Sequence, residues 1–224
     1  MSDTRIPPAP RLRLDGVSRR YGRKVVLDGV THTFPGGLTL LTGPSGAGKS
    51  TLLRLCATAE KPSAGTIVWD GLPLGGGGRK ALRRALGYAP QAVDLPDQLT
   101  AREFGLHIAA LKGLRASEAD NQFRLILDQV GLGDDANGRI STFSGGMRRR
   151  LIFAQALLGS PRLLALDEPT AELDSESRLR VGALIDKAAQ TAVVIMTTHL
   201  SDRVADGAAA VLRVDGGKLT PVPA

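Results

Sequence analysis

The chain has 224 residues, 42% hydrophobic and only 4% aromatic, with Lys and Arg exceeding Asp and Glu by 29 − 22 = +7. The hydrophobic share suffices for a buried core. Scattered basic residues and scarce aromatics exclude an interleaved surface for stacking bases, so no nucleic-acid partner is expected.

The positive balance is read as solvated surface, with weak attraction to an anionic membrane face as a secondary reading. Arg148-Arg149-Arg150 is the densest cluster, but consecutive helical positions point about 100° apart and do not form one patch. No apolar stretch is long enough to cross a bilayer, and residues 1–10 are polar and proline-rich, unlike a signal sequence. The single cysteine, Cys56, excludes an internal disulfide and a cysteine-built metal site, and its helical setting predicts a small buried apolar residue. The expectation is a flexible tail over 1–10 followed by one domain over 11–224 in a reducing cytoplasm.

In chain order, residues 11–34 alternate short β-like pieces with turn residues and predict antiparallel strands beside the first core strand. Leu38–Leu41 is an apolar core strand, and Thr51–Leu55 begins a helix. Thr66–Trp69 followed by Asp70-Gly71 is a strand with a tight-turn signal. Gly75–Gly78 predicts a flexible loop. Leu86–Ala89 leads into Pro90-Gln91, where proline pushes the chain out of regular structure.

From about Leu99 to Leu158 apolar residues recur at helical spacing, as at Leu106, Ile108 and Leu111. This predicts an inserted helical subdomain over about 92–158. The chain returns to a strand at Leu163–Leu166, a helix from about Ser175 to Gln190, a strand at Val193–Met196 and a last strand near Ala210–Val214. Strands alternating with helices imply an α/β fold with a mainly parallel sheet covered on both faces.

Between the Leu38–Leu41 strand and the helix, Gly43-Pro44-Ser45-Gly46-Ala47-Gly48-Lys49-Ser50 fits the phosphate-binding pattern G-x-x-x-x-G-K-[ST]. Its glycines let backbone N–H groups approach phosphate oxygens, and the following helix points its positive end at the same anion. Lys49 is expected to reach the β- and γ-phosphates, and the Ser50 hydroxyl to ligate a bridging Mg²⁺. Asp167 and Glu168 follow the strand Leu163–Leu166, where an α/β sheet binds its ligand. Asp167 is expected to hold the metal, and Glu168 to orient or deprotonate a water aimed at the γ-phosphate. Ser144-Gly145-Gly146 opens another helix and forms a second anion-directed terminus.

These residues together resemble the nucleotide-binding subunit of ATP-binding cassette transporters, from about Leu12 to Lys218. Gly43–Ser50 is similar to that family's Walker A loop, Leu163–Glu168 to its Walker B strand and catalytic carboxylate, and Phe143–Met147 to its signature. Gln91 matches the glutamine loop, His199 the switch histidine and Ala171–Asp174 the D-loop, while Tyr21 falls where the family stacks an aromatic on adenine.

The resemblance implies a P-loop NTPase core with an antiparallel β subdomain and an inserted α-helical subdomain. It implies ATP and Mg²⁺ as ligands, bound by Tyr21, Gly43 through Thr51, and Ser144, Gly145 and Gly146. The metal would be held by Ser50, Gln91 and Asp167, and catalysis carried by Glu168, His199 and Gln91. Two departures stand out. Phe143 and Met147 replace the usual first and last signature residues, and Glu172 puts a charge where the D-loop commonly has a small or apolar residue.

The resemblance further implies that two cassettes pair head to tail, each ATP lying between the Walker A loop of one and Ser144–Gly146 of the other. Separate transmembrane permease subunits would dock on this peripheral subunit at the cytoplasmic face. The Met147 signature, and the absence of an extra C-terminal domain after the last core strand, tilt the expectation toward export. The competing class is a soluble cassette ATPase acting on nucleic acid or the ribosome; relatives of that kind tend to carry two cassettes or long insertions.

Overall fold

The computed structural model describes residues 12–75, 77–198 and 207–222. The tail expected over 1–10 and the expected catalytic His199 lie outside the described residues.

The first strands, β1 (Leu12–Tyr21) and β2 (Lys24–Phe34), form a hairpin. Leu12 and Leu14 point inward on alternate positions; a register shift between Leu14 and Val17 then resets the alternation so that Val17 is also buried. β3 (Gly37–Thr42) departs into a second sheet, while β4 (Ala64–Trp69) and β5 (Leu72–Pro73) return to complete the four-stranded order β2-β1-β4-β5. Asp70 and Gly71 join β4 to β5 with φ of 47° and 81°, the left-handed pair that a tight hairpin turn requires.

The second sheet adds β6 (Leu86–Ala89), β7 (Leu163–Asp167), β8 (Val193–Thr197), β9 (Ala210–Asp215) and β10 (Lys218–Pro221), in the order β10-β9-β3-β8-β7-β6. All its neighbouring strands pair in parallel except β9 with β10. Every residue of β7 and β8 is buried, which explains why they read as continuous apolar runs rather than alternating ones. β10 is an addition to the strands read from the sequence; its mostly exposed edge position leaves no apolar run to betray it.

Helices cover both faces of this sheet. α1 (Lys49–Cys56) buries Leu52, Leu53, Leu55 and Cys56 in the core that also holds Leu163, Ala165, Val193 and Ile195. Burial pushes the Cys56 thiol up to about 12, so it behaves as the apolar filler expected of it. On the other face lie α3 (Ala101–Lys112), α4 (Ala116–Gln129), α5 (Gly145–Leu157) and α6 (Ser175–Ala189). Thr100 and Glu103 close a reciprocal capping box at the start of α3.

Three readings need correction. Gly75–Gly78 is not wholly a flexible loop: α2 (Gly77–Ala85) begins inside it, and Gly78 is buried. A Cβ on Gly78 would lie 2.6 Å from the Pro73 carbonyl oxygen, so glycine here permits close packing of α2 on β5.

Basic residues are also less scattered than the sequence suggests. Arg79, Lys80, Arg83 and Arg84 of α2 line, with Lys112, a cleft of about 460 Å³ that has no acidic residue in its wall.

The third correction concerns Arg148–Arg150, which point apart as expected but are not simply solvated. Arg148 pairs with Asp97 at 2.7 Å, Arg149 points toward the Gln91 loop, and Arg150 donates to the Val130 and Gly131 carbonyls beyond α4. Arg150 thereby ties α5 to the turn that follows α4.

Candidate functional site

The glycine loop leaves β3 at Thr42 and enters α1 at Lys49. Gly43, Gly46 and Gly48 have φ of 133°, 75° and 107°, and a Cβ on Gly43 would fall 2.2 Å from the Val214 carbonyl oxygen. Both the turn and the approach to β9 therefore depend on missing side chains. Gly48 is the N-cap of α1 and supplies no side-chain bond, and no acidic residue occupies the first turn. The positive end of α1 is thus not neutralised by an acidic residue of its own first turn, which suits an anion site.

The remaining loop residues fall into place around that end. Ala47 N–H bonds the Pro44 carbonyl, Ser45 is exposed at the tip, and buried Thr51 follows in the first turn of α1. Lys49 folds back over the loop, its Nζ donating to the Gly43 and Pro44 carbonyls at 2.9 and 3.0 Å. Those bonds keep the ammonium beside the loop although only 7% of the residue is exposed.

Ser50 Oγ donates to Asp167 Oδ1 at 3.2 Å, joining the start of α1 to the end of β7. Thr197, at the end of the intervening β8, donates to the same oxygen at 2.7 Å, and its own Oγ1 accepts the Glu168 N–H at 2.9 Å. Thr197 was not foreseen as a site residue. Its one signal is a polar residue closing an otherwise apolar strand, Val193–Thr197.

The residues fit Mg²⁺, since a hydroxyl and a buried carboxylate, both oxygen donors, already meet at hydrogen-bond distance beside the phosphate loop. Among the described residues no group of three or more His, Cys, Asp or Glu gathers to hold an ion.

Glu168 has φ of 50°, left-handed for a residue with a Cβ. Such a conformation costs roughly 1–2 kcal/mol and persists only where neighbours restrain it. Thr197 holds its N–H, and Gln91 Nε2 donates to its Oε2 at 3.0 Å. Arg149, from α5, reaches its carbonyl at 3.5 Å. Gln91 therefore sits against the carboxylate expected to be catalytic.

Tyr21 is 40% exposed at the end of β1. Arg19 already stacks over its ring, 4.5 Å from the centroid, so an adenine would have the opposite face. The Tyr21 hydroxyl donates to Glu60 Oε2, Arg54 Nε donates to Glu60 Oε1 at 2.6 Å, and Arg54 Nη2 donates to Thr51 Oγ1 at 3.2 Å. Glu60, another unforeseen residue, thereby links the tyrosine to the helix after the phosphate loop. Burial raises its carboxyl, but hydrogen bonds from Tyr21 and Arg54 and the charges of Arg54 and Arg19 outweigh that and hold it below the usual range.

Ser144 caps α5, accepting the Met147 N–H at 3.3 Å. Ser144 and Gly145 are exposed, and the space beside Gly145 and Gly146 is open. Among the described residues no hydrogen bond joins this segment to Gly43–Ser50.

The sequence profile of the family described as "ABC transporter" matches residues 27–171, more than half of the chain. The Nod factor export ATP-binding protein I of Paraburkholderia xenovorans (strain LB400) is 36% identical over 197 residues, covering 87% of this chain and 64% of that protein. The linearmycin resistance ATP-binding protein LnrL of Bacillus subtilis (strain 168) is 33% identical over 195 residues, covering 86% and 62%. The chain thus spans less than two thirds of the length of these relatives.

Among solved structures, the dimeric bacterial ABC transporter cassette MJ0796 superposes with a TM-score of 0.83 at 26% identity, covering 93% of this chain and 96% of that one. A post-hydrolysis dimer of MJ0796 bound to ADP and phosphate gives 0.82 at 25% identity, covering 95% and 99%. The glycine loop, the carboxylate pair at the end of β7 and these matches agree, and the chain belongs to the ABC transporter family.

Proposed function

We propose that this chain binds and hydrolyses ATP as the nucleotide-binding subunit of a transporter that exports its cargo through separate transmembrane permease subunits. The observation that carries the reading is the junction of Ser50, Asp167 and Thr197, which joins the phosphate loop to the strand end bearing Glu168.

Gly43 through Thr51 cradle the phosphates, with Lys49 supplying charge to the β- and γ-groups. Ser50 and Asp167 would hold Mg²⁺, with Gln91 beside them, and the ion would supply positive charge against the phosphates. Glu168 accepts a proton from water as the water oxygen bonds to the γ-phosphorus. The bond to the β–γ bridging oxygen breaks, leaving ADP and inorganic phosphate. His199 donates a hydrogen bond to the γ-phosphate or the water, and Tyr21 stacks on adenine.

The uncovered Ser144–Gly146 terminus supports a second nucleotide-binding subunit, whose own ATP would meet it across a head-to-tail dimer. Export is supported by what the relatives are named for: Nod factor export and linearmycin resistance. The basic cleft beneath α2 suits a position at the cytoplasmic face of a membrane rich in anionic lipid.

The test is ATP turnover by the purified chain, titrated in protein concentration with Mg²⁺ present. Turnover should rise more steeply than concentration and disappear in Lys49→Ala; no turnover at any concentration would refute the ATPase reading. Isolation from membranes separates a transporter subunit, which co-purifies with integral membrane proteins, from a soluble ATPase, which does not.

A further inference from the structure

Arg149 lies on α5, the helix that Ser144 caps, with its side chain only 14% exposed. One guanidinium reaches three residues, one in the Gln91 loop and two in the connection from β7 to α6. Nη1 donates to the Gln91 carbonyl at 3.0 Å and to the Glu168 carbonyl at 3.5 Å, while Nη2 lies 3.7 Å from Glu172 Oε2. Glu168 and Glu172 both have left-handed backbones, with φ of 50° and 60°. Non-glycine residues hold that conformation only under restraint from outside the segment. Arg149 is a guanidinium contact common to both.

Arginine is suited to this place because its planar fork carries several fixed donors and keeps its charge at any working pH. Lysine carries the same charge as a single point and cannot reproduce the fork.

We infer that Arg149 is a positioning residue that clamps the backbone of Glu168 to the Gln91 loop and to helix α5, setting where the Glu168 carboxylate points. Resting on the ATPase reading above, this adds a route for coupling. Ser144 and Arg149 are five positions apart on one helix, about 7.5 Å along its axis. In a head-to-tail pair Ser144 meets the nucleotide of the second subunit, whereas Arg149 holds the carboxylate serving the chain's own nucleotide. A shift of α5 on one ATP would then be felt at the other.

The experiment is a double-mutant cycle in the full chain, read by single-turnover hydrolysis and by ATP affinity. Arg149→Ala should lower the rate at saturating ATP about tenfold or more while ATP affinity changes less than about twofold, because no phosphate-binding group is removed. In a Glu168→Gln background the same change should cost less than about twofold, since the carboxylate it positions is already gone. Arg149→Lys should fall between wild type and alanine. It also guards against misfolding, because its melting temperature should match that of the wild type.

Equal losses in both backgrounds would overturn the inference, as would weakened ATP affinity with an unchanged rate, or full activity in Arg149→Ala. No turnover by the wild-type chain would refute the ATPase reading and the clamp with it. Wild-type turnover together with any of the other failures would remove the clamp alone.

Discussion

The Gln91 side-chain amide donates to Glu168 Oε2 at 3.0 Å, while the Glu168 N–H is held by Thr197. Glu168 is therefore held at its carboxylate by the loop that follows β6 and at its backbone by the end of β8. In the proposed reaction the attacking water would meet a carboxylate that already accepts one bond from the Gln91 amide.

Glu168→Gln keeps the shape and the acceptor oxygen but removes the base. Turnover should fall by about 10²–10⁴-fold, the range a positioned general base supplies. ATP should still bind, and the paired form should accumulate on size-exclusion chromatography in ATP. Retained turnover would take the base role away from Glu168.

Asp167→Asn should raise the Mg²⁺ concentration needed for half-maximal turnover by at least about tenfold, because a buried carboxylate bonded to Ser50 and Thr197 becomes neutral. Chelation of the metal should abolish turnover in both proteins and leave the fold intact by circular dichroism. An unchanged Mg²⁺ requirement would place the metal elsewhere.

The Glu60 carboxyl is held below its ordinary value: burial opposes ionisation, but bonds from Tyr21 and Arg54 and the charges of Arg54 and Arg19 prevail. A carboxyl lowered on folding contributes stability above its unfolded value, about 4.3, and that contribution is lost as pH falls through the folded value. Glu60→Gln should therefore melt below the wild type at pH 7, by about 2 °C given the partial exposure of the cluster. The gap should narrow as pH falls below about 4.3 and close once pH is below the lowered folded value. A gap independent of pH would show that Glu60 acts by packing rather than by charge.

Gly78→Ala tests why α2 starts where it does. If glycine were there only for flexibility, alanine in a helix would stabilise the protein by up to about 1 kcal/mol. Because a Cβ would meet the Pro73 and Leu72 carbonyl oxygens at 2.6 and 2.8 Å, the expected result is instead a loss of about 1–3 kcal/mol in denaturant unfolding. The sign of the change decides between the two.

The sequence by itself determined the strands and helices that carry strong periodicity, and the chemistry of the phosphate loop. Buried runs such as Leu163–Leu166 and Val193–Met196 leave little choice, since a strand covered on both faces must be apolar throughout. The spacing in Gly43–Ser50 is local, so one short segment contains the turn, the lysine and the hydroxyl.

Only the tertiary structure decided the partners that complete the site. Ser50 and Asp167 are 117 residues apart, Gln91 and Glu168 are 77 apart, and Tyr21 and Glu60 are 39 apart. Nothing local marks such pairs, because it is sheet order that brings strand ends together. Arg149 shows the same limit from the other side. In sequence it is one of three adjacent basic residues, and the rotation of α5 alone turns it inward to the Gln91 and Glu168 carbonyls while Arg148 and Arg150 go to Asp97 and the end of α4.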